Sequence, residues 1–188
     1  MKLWRIVFIC LLLSGCNIFD LRTADPPDGK VEWNSYANTY EKCLENLVYS
    51  YNYRENVYKY SDILTDNFRF EFDREDVFNH SVPEVWEKRS ETEMLINLFQ
   101  QTTSNQSVHL ELFPLENQRD DVRDRVATIY RGYVLLLNNN RNPNEELIGE
   151  LEMVLEKETN GLWKIKEWRD YRRQSHKTWG RLKNEYSV

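Results

Sequence analysis

Apolar and polar positions alternate in several distinct ways along the 188 residues. Ile6 to Leu13 is an unbroken apolar run of roughly eight residues, within the ~7–15 of a secretory signal core and short of the ~20 that span a bilayer. From Asn34 on, Tyr36, Tyr40, Cys43, Leu44, Leu47, Val48 and Tyr51 recur every three or four residues, which predicts an amphipathic helix. A shorter helix fits Asn56 to Leu64, with Tyr60, Ile63 and Leu64 inward and a stop at Thr65-Asp66-Asn67. The period then drops to two. Phe68, Phe70 and Phe72 fall on one face and Arg69 and Glu71 on the other, as in a half-buried strand.

Ser90 followed by Glu93 reads as a capping box, announcing a helix with Met94, Leu95, Leu98 and Phe99 on its apolar face. Strand patterns follow. Val108, Leu110 and Leu112 alternate with His109, Glu111 and Phe113, a long run extends from Val122 to Leu137, and Leu147, Leu151, Met153 and Leu155 oppose Glu150, Glu152 and Glu156. Asn160-Gly161 predicts a tight hairpin, because both residues tolerate positive φ, and Leu162 to Tyr171 returns as the last strand. Helices first and an antiparallel meander after them predict an α+β fold, with N-terminal helices closing over one face of a curved, mainly antiparallel sheet.

The residues around Cys16 add an address. Lys2 and Arg5 form a basic start, and Leu13-Ser14-Gly15-Cys16 follows the apolar run with no polar spacer. This segment resembles the lipobox of bacterial lipoproteins. That resemblance implies cleavage before Cys16, thioether lipidation of its sulfur and acylation of the new amino terminus by palmitate-like chains, since two or more buried chains give stable attachment. An ordinary cleaved signal containing a chance cysteine is the alternative. Asn17 in the second mature position resembles the default that Gram-negative lipoproteins follow to the outer membrane, facing the periplasm. The expected organisation is a signal at 1–15, a lipidated tether at 16–32 containing Asp25-Pro26-Pro27-Asp28-Gly29, a domain at 33–173 and a C-terminal extension at 174–188.

Charge excludes one class of partner. The chain carries 25 Lys and Arg against 31 Asp and Glu, and loss of Lys2 and Arg5 with the signal makes the balance more acidic, which argues against nucleic acid. An aromatic content of 13% rules for a packed domain over a disordered tail. Cys10 leaves with the signal and Cys16 is the lipidation residue, so Cys43 stands alone on a helix's apolar stripe and reads as a core thiol.

The element order resembles the nuclear transport factor 2-like family, the cystatin-like cones that include ketosteroid isomerase and scytalone dehydratase. The residues that carry the likeness are Tyr40, Leu44 and Leu47, the strand Phe68-Phe70-Phe72, and the closing run from Gly161 to Asp170; the likeness spans roughly Trp33 to Arg172. It implies a pocket between the helices and the concave face of the sheet, with Tyr40, Phe70, Tyr130, Trp163 and Trp168 as candidate lining. Family enzymes place an acid/base pair there. The corresponding candidates are Asp170, His109, His80, Tyr40 and Tyr130, of which Asp170 beside Trp168 is the one whose pKa desolvation would raise. Pairing of Asp170 with Arg169, Arg172 or Arg173 at the surface is the preferred alternative, and a solvated or structurally bonded role is preferred for His109.

No phosphate loop, nucleophile elbow or dinucleotide fingerprint occurs, so no cofactor is expected. The histidines lack metal spacing, and the arginines interleaved with Asp120, Asp121 and Asp124 oppose a cation, so no metal is expected either. Trp179 and Leu182 either pack back over the sheet or anchor an exposed arm to a partner. The leading reading is a lipid-anchored envelope protein whose domain binds a small apolar ligand or another envelope protein. Two alternatives stand beside it: an isomerase, dehydratase or hydrolase using Asp170 with a tyrosine or histidine, and a structural subunit of an envelope complex whose exposed sheet face dimerises or docks on a larger complex.

Overall fold

Thr39 starts the first helix, α1 (Tyr40–Asn52), by accepting the Lys42 N–H. The periodic pattern begins earlier, at Asn34, but that stretch bends at Ser35 and Tyr36 and is tied to the helix where the Asn46 side chain bonds both the N–H and the C=O of Asn34. Tyr36 accordingly lies outside the helix and exposed, whereas Cys43, Leu44, Leu47 and Tyr51 are buried. The computed structural model describes residues 31–187 except 104 and 175. The signal, Cys16 and the tether up to residue 30 lie outside the described residues.

The second expected helix is a 3-10 run, Arg54–Ile63, and its core residues Val57, Tyr60 and Ile63 are spaced by the three residues of a 3-10 turn. Thr65, Asp66 and Asn67, the expected stop, instead belong to strand β1 (Leu64–Glu71), which buries Phe68 and Phe70 and turns Arg69 outward. Two elements not expected from the pattern follow: α2 (Arg74–His80), capped by Asp73, and β2 (Val85–Glu87), antiparallel to β1. Helix α3 spans Lys88–Gln100. Ser90 therefore sits within the first turn and does not cap it, so the expected capping box is not formed; Glu93 pairs with Arg89 instead.

The remaining strands are β3 (Ser107–Pro114), a short β4 (Asp121–Val122), β5 (Val126–Asn138), β6 (Glu145–Lys157) and β7 (Trp163–Arg172), followed by a final helix α4 (Trp179–Glu185). The sheet order is β2-β1-β7-β6-β5-β3 with β4 on β5; the β1–β7 pair is parallel and the rest antiparallel. The architecture is α+β, as the pattern predicts. The β6–β7 hairpin forms at Asn160-Gly161, although only Gly161 takes positive φ (84°), while the Asn160 side chain accepts the Leu162 N–H.

One irregularity decides which residues face inward. Val154 on β6 pairs with Glu167 and the next residue, Leu155, with Ile165, so Lys166 is an extra residue that bulges out of β7. Trp163 and Ile165 are buried on one side of the bulge, and Trp168 and Asp170 on the other. Without the bulge, strict alternation from Trp163 would send Asp170 outward. Helix α4 then lies against the same inner face, with Trp179, Leu182, Lys183 and Tyr186 all buried.

Candidate functional site

Two polar clusters lie inside the cone, joined by aromatic rings. The first centres on Asp170. Tyr133 on β5 reaches it across β6, because its partner in the ladder is Gly149, where an added Cβ would stand 2.3 Å from the Tyr133 hydroxyl oxygen. That hydroxyl donates to Asp170 Oδ1 at 2.9 Å and accepts the Trp179 N–H at 2.9 Å. The Gly180 N–H donates to Asp170 Oδ2 at 2.6 Å, so the carboxylate holds the first turn of α4. Burial pushes the Asp170 carboxyl up to about 7, outweighing the Gly180 N–H, the Tyr133 hydroxyl and the Lys183 charge that favour its ionised form.

The second cluster centres on Glu91 of α3, which is fully buried. Its Oε1 accepts from the Tyr60 hydroxyl and from the Lys183 ammonium of α4, and its Oε2 accepts from Trp86 Nε1 at 3.0 Å. The ammonium also rests on ring faces, 3.5 Å from the Trp168 centroid and 3.9 Å from that of Phe70. Burial pulls its pKa down to about 8. Trp179 links the clusters: its ring stands edge-on to Trp168 at 4.5 Å and to Tyr51 at 4.9 Å, and its Nε1 donates to the Tyr51 hydroxyl at 3.2 Å.

Of the residues singled out from sequence, Asp170, Phe70 and Trp168 converge here. The surface pairing preferred for Asp170 is not formed: Arg169 binds Glu71, Glu152 and Glu167 on the outer face, and Arg172 binds Asp76 and Glu75. Tyr40 and Trp163 meet each other at the other end of β7, with ring centroids 6.1 Å apart. Tyr130 alternates to the outer face, where its N–H donates to Asp120. His80 ends α2, exposed, and His109 is exposed beside Glu111 at 3.1 Å. Burial pushes the Cys43 thiol up to about 12, in keeping with a core role.

Asp120 is tied to Arg131 at 2.6 Å and Asp121 to Arg123 at 2.9 Å, so this acidic run forms ion pairs. No cluster of three or more His, Cys, Asp or Glu able to hold a metal exists among the described residues. No helix among them is long and apolar enough to cross a membrane.

Glu91, Lys183 and Tyr133 were not singled out by sequence reasoning, and Tyr51 and Tyr60 were placed on the inward faces of helices without a site role. A signal existed for the charged pair. Glu91 lies on the stripe of Met94, Leu95 and Leu98, and Lys183 on that of Trp179, Leu182 and Tyr186, so two helices each carry one charge, of opposite sign, on an apolar face.

The interior can bind an ammonium group between aromatic faces and a carboxylate, and it can hold a proton on a carboxyl that titrates near neutrality. Both functions now engage α4. Grooves on the surface, of about 720 Å³ beside Phe72, Val77 and Phe78 and about 450 Å³ beside Phe113 and Arg173, are lined by other residues.

No protein-family profile matches the chain, and no curated protein matches its sequence. Solved structures resemble it in fold. A nuclear transport factor 2-like superfamily protein from Salmonella enterica serovar Typhimurium matches with a TM-score of 0.51 at 13% identity, over 71% of this chain and 89% of its own. A nuclear transport factor 2-like protein from Cytophaga hutchinsonii gives 0.53 at 10%, over 71% and 95%. A protein of unknown function from Mycobacterium tuberculosis gives 0.54 at 18%, over 72% and 71%. The domain of this chain has the nuclear transport factor 2-like fold.

Proposed function

We propose that this chain is a lipid-anchored protein of the bacterial cell envelope whose domain binds a ligand in the cone interior and catalyses no reaction, with α4 as the element that closes the site. The observation that carries this reading is the placement of α4. Trp179, Leu182, Lys183 and Tyr186 occupy the space between α3 and the sheet where a cone of this fold would seat a ligand, and they satisfy its polar groups as a ligand would. Leu13-Ser14-Gly15-Cys16 supports the anchor, and Asn17 supports the outer membrane as its destination in a Gram-negative host.

Two measurements test the two halves. Cys16→Ser moves the chain from the detergent-extractable membrane fraction to the soluble fraction of an exporting host; a variant that stays in the membrane fraction removes the anchor. In hydrogen exchange on the full chain, the amides of residues 179–186 exchange at least tenfold faster than those of β5 and β6, because α4 opens without global unfolding. Exchange of α4 at the rate of the central strands would make it a fixed part of the core and end the reading.

Asp170 favours a second reading. A carboxyl near 7 beside a tyrosine hydroxyl is the acid/base pairing of a proton-transfer enzyme, and it would face a substrate under the same opening of α4.

A further inference from the structure

A lysine is an expensive way to fill this space. Lys183 and Glu91 are both completely inaccessible to solvent, and taking two charges out of water carries a desolvation penalty that a methionine and a leucine filling the same volume would not incur. The pair is also asymmetric in origin. Glu91 with its donors Tyr60 and Trp86, and the ring faces of Trp168 and Phe70, come from α3, the 3-10 run, β2, β7 and β1, whereas the ammonium comes from the chain's last helix. The body of the domain thus builds a complete receptor for a cation, with one carboxylate as counter-ion and two aromatic faces. Trp168 Nε1, in its wall, is buried with no hydrogen-bond partner among the described residues.

We propose that the cone interior is a site for a primary ammonium group carried on an aromatic body, that Lys183 and Trp179 are its built-in occupants, and that such an amine binds by taking the place of α4. The inference rests on the reading of the interior as a ligand site. The ammonium takes the position of Lys183 Nζ against Glu91 and Trp168. The aromatic body takes the position of the Trp179 ring, edge-on to Trp168 and Tyr51. Loss of α4 also frees the Asp170 carboxyl and the Tyr133 hydroxyl to meet polar groups on the ligand's far side. α4 is seven residues long, and its departure breaks, besides the contacts of Lys183 and Trp179, the bonds of Thr178 to Asp76 and of Tyr186 to Asn97, Asn139 and Asn142.

The test uses the full chain with 2-phenylethylammonium as probe and 2-phenylethanol as its neutral counterpart, both at constant ionic strength. Native mass spectrometry and tryptophan fluorescence are expected to show saturable binding of the amine, at least tenfold tighter than the alcohol, with faster amide exchange at residues 179–186 on binding. In Lys183→Ala, the smaller propylammonium is expected to raise the Tm saturably and propan-1-ol to leave it unchanged; Lys183→Met, which fills the space, is expected to respond to neither. If alcohol and amine bind equally, the interior remains a ligand site and the ammonium assignment is overturned. If neither binds and α4 exchanges only with global unfolding, the site itself falls as well. Should Lys183→Ala fail to fold, the wild-type comparison of amine with alcohol decides the matter alone.

Discussion

Glu91→Ala lowers the free energy of unfolding by about 3–5 kcal/mol, the loss expected when one member of a buried ion pair is removed and the other stays behind. The Lys183 ammonium then has no counter-ion, and the Tyr60 hydroxyl and Trp86 N–H lose their acceptor at the same time. Two orphaned donors in a dry interior add desolvation costs of about 1–3 kcal/mol each, so relaxation that admits water to them sets where in the range the value falls. Lys183→Met loses less, because Glu91 keeps two neutral donors, the Tyr60 hydroxyl and Trp86 Nε1. Combining Glu91→Gln with Lys183→Met recovers most of the loss, since the amide oxygen accepts from Trp86 Nε1, its NH2 donates to the Tyr60 hydroxyl, and no charge remains buried. Urea unfolding of wild type, Glu91→Gln, Lys183→Met and their combination, followed by circular dichroism, gives the coupling directly. A Glu91→Ala cost under about 1 kcal/mol would mean that the pair is hydrated and the cage open to water.

The large elements were legible because their pattern is local. On β5 and β6, burial follows alternate residues over long stretches, and Asn160-Gly161 marks the turn after them. The apolar stripe of α1 is equally plain, yet its start at Tyr40 depends on Asn46 reaching back to Asn34, a tertiary contact that periodicity does not contain. α2 and β2 are seven and three residues long, too short to show a period. The site was harder for a related reason. Phe70 could be placed on an inward face by alternation, but the orientation of Trp168 and Asp170 alike hangs on the one-residue bulge at Lys166, which moves every later side chain of β7 to the opposite face. The pairing of Glu91 with Lys183 joins residues 92 apart in sequence, and only the return of α4 into the cone brings them together. Each charge alone reads as a misfit on an apolar stripe; only as a pair do they make a site.

Asp170→Asn changes how stability depends on pH, and the sign of the change follows from where the carboxyl titrates. In the folded chain it titrates at about 7, and in the unfolded chain at about 3.9. Between those values the folded state holds a proton that the unfolded state has lost, so the contribution of Asp170 to stability is full below about pH 4 and declines as pH rises through 7. A shift of about three units at 1.36 kcal/mol each makes that decline about 4 kcal/mol. Asparagine resembles the protonated acid in shape and still offers an oxygen to the Gly180 N–H, but it does not titrate. The stability difference between Asp170→Asn and wild type should therefore move by about 4 kcal/mol in favour of the variant from pH 4 to pH 8. Carboxylates elsewhere, such as Asp120 held below the usual range by Arg131, titrate in both proteins and cancel in the difference. Lys183 contributes in the other direction and in a separate window: its depressed pKa of about 8 makes its contribution rise between about pH 8 and 10.4, above the range measured. Urea unfolding of both proteins at half-unit intervals from pH 4 to 8 gives the curve. A flat difference would show that Asp170 ionises as it does in water, which requires that α4 leave it hydrated. A difference that grows toward pH 8 would show that α4 keeps the carboxyl dry, and that ionising it works against the closed cone.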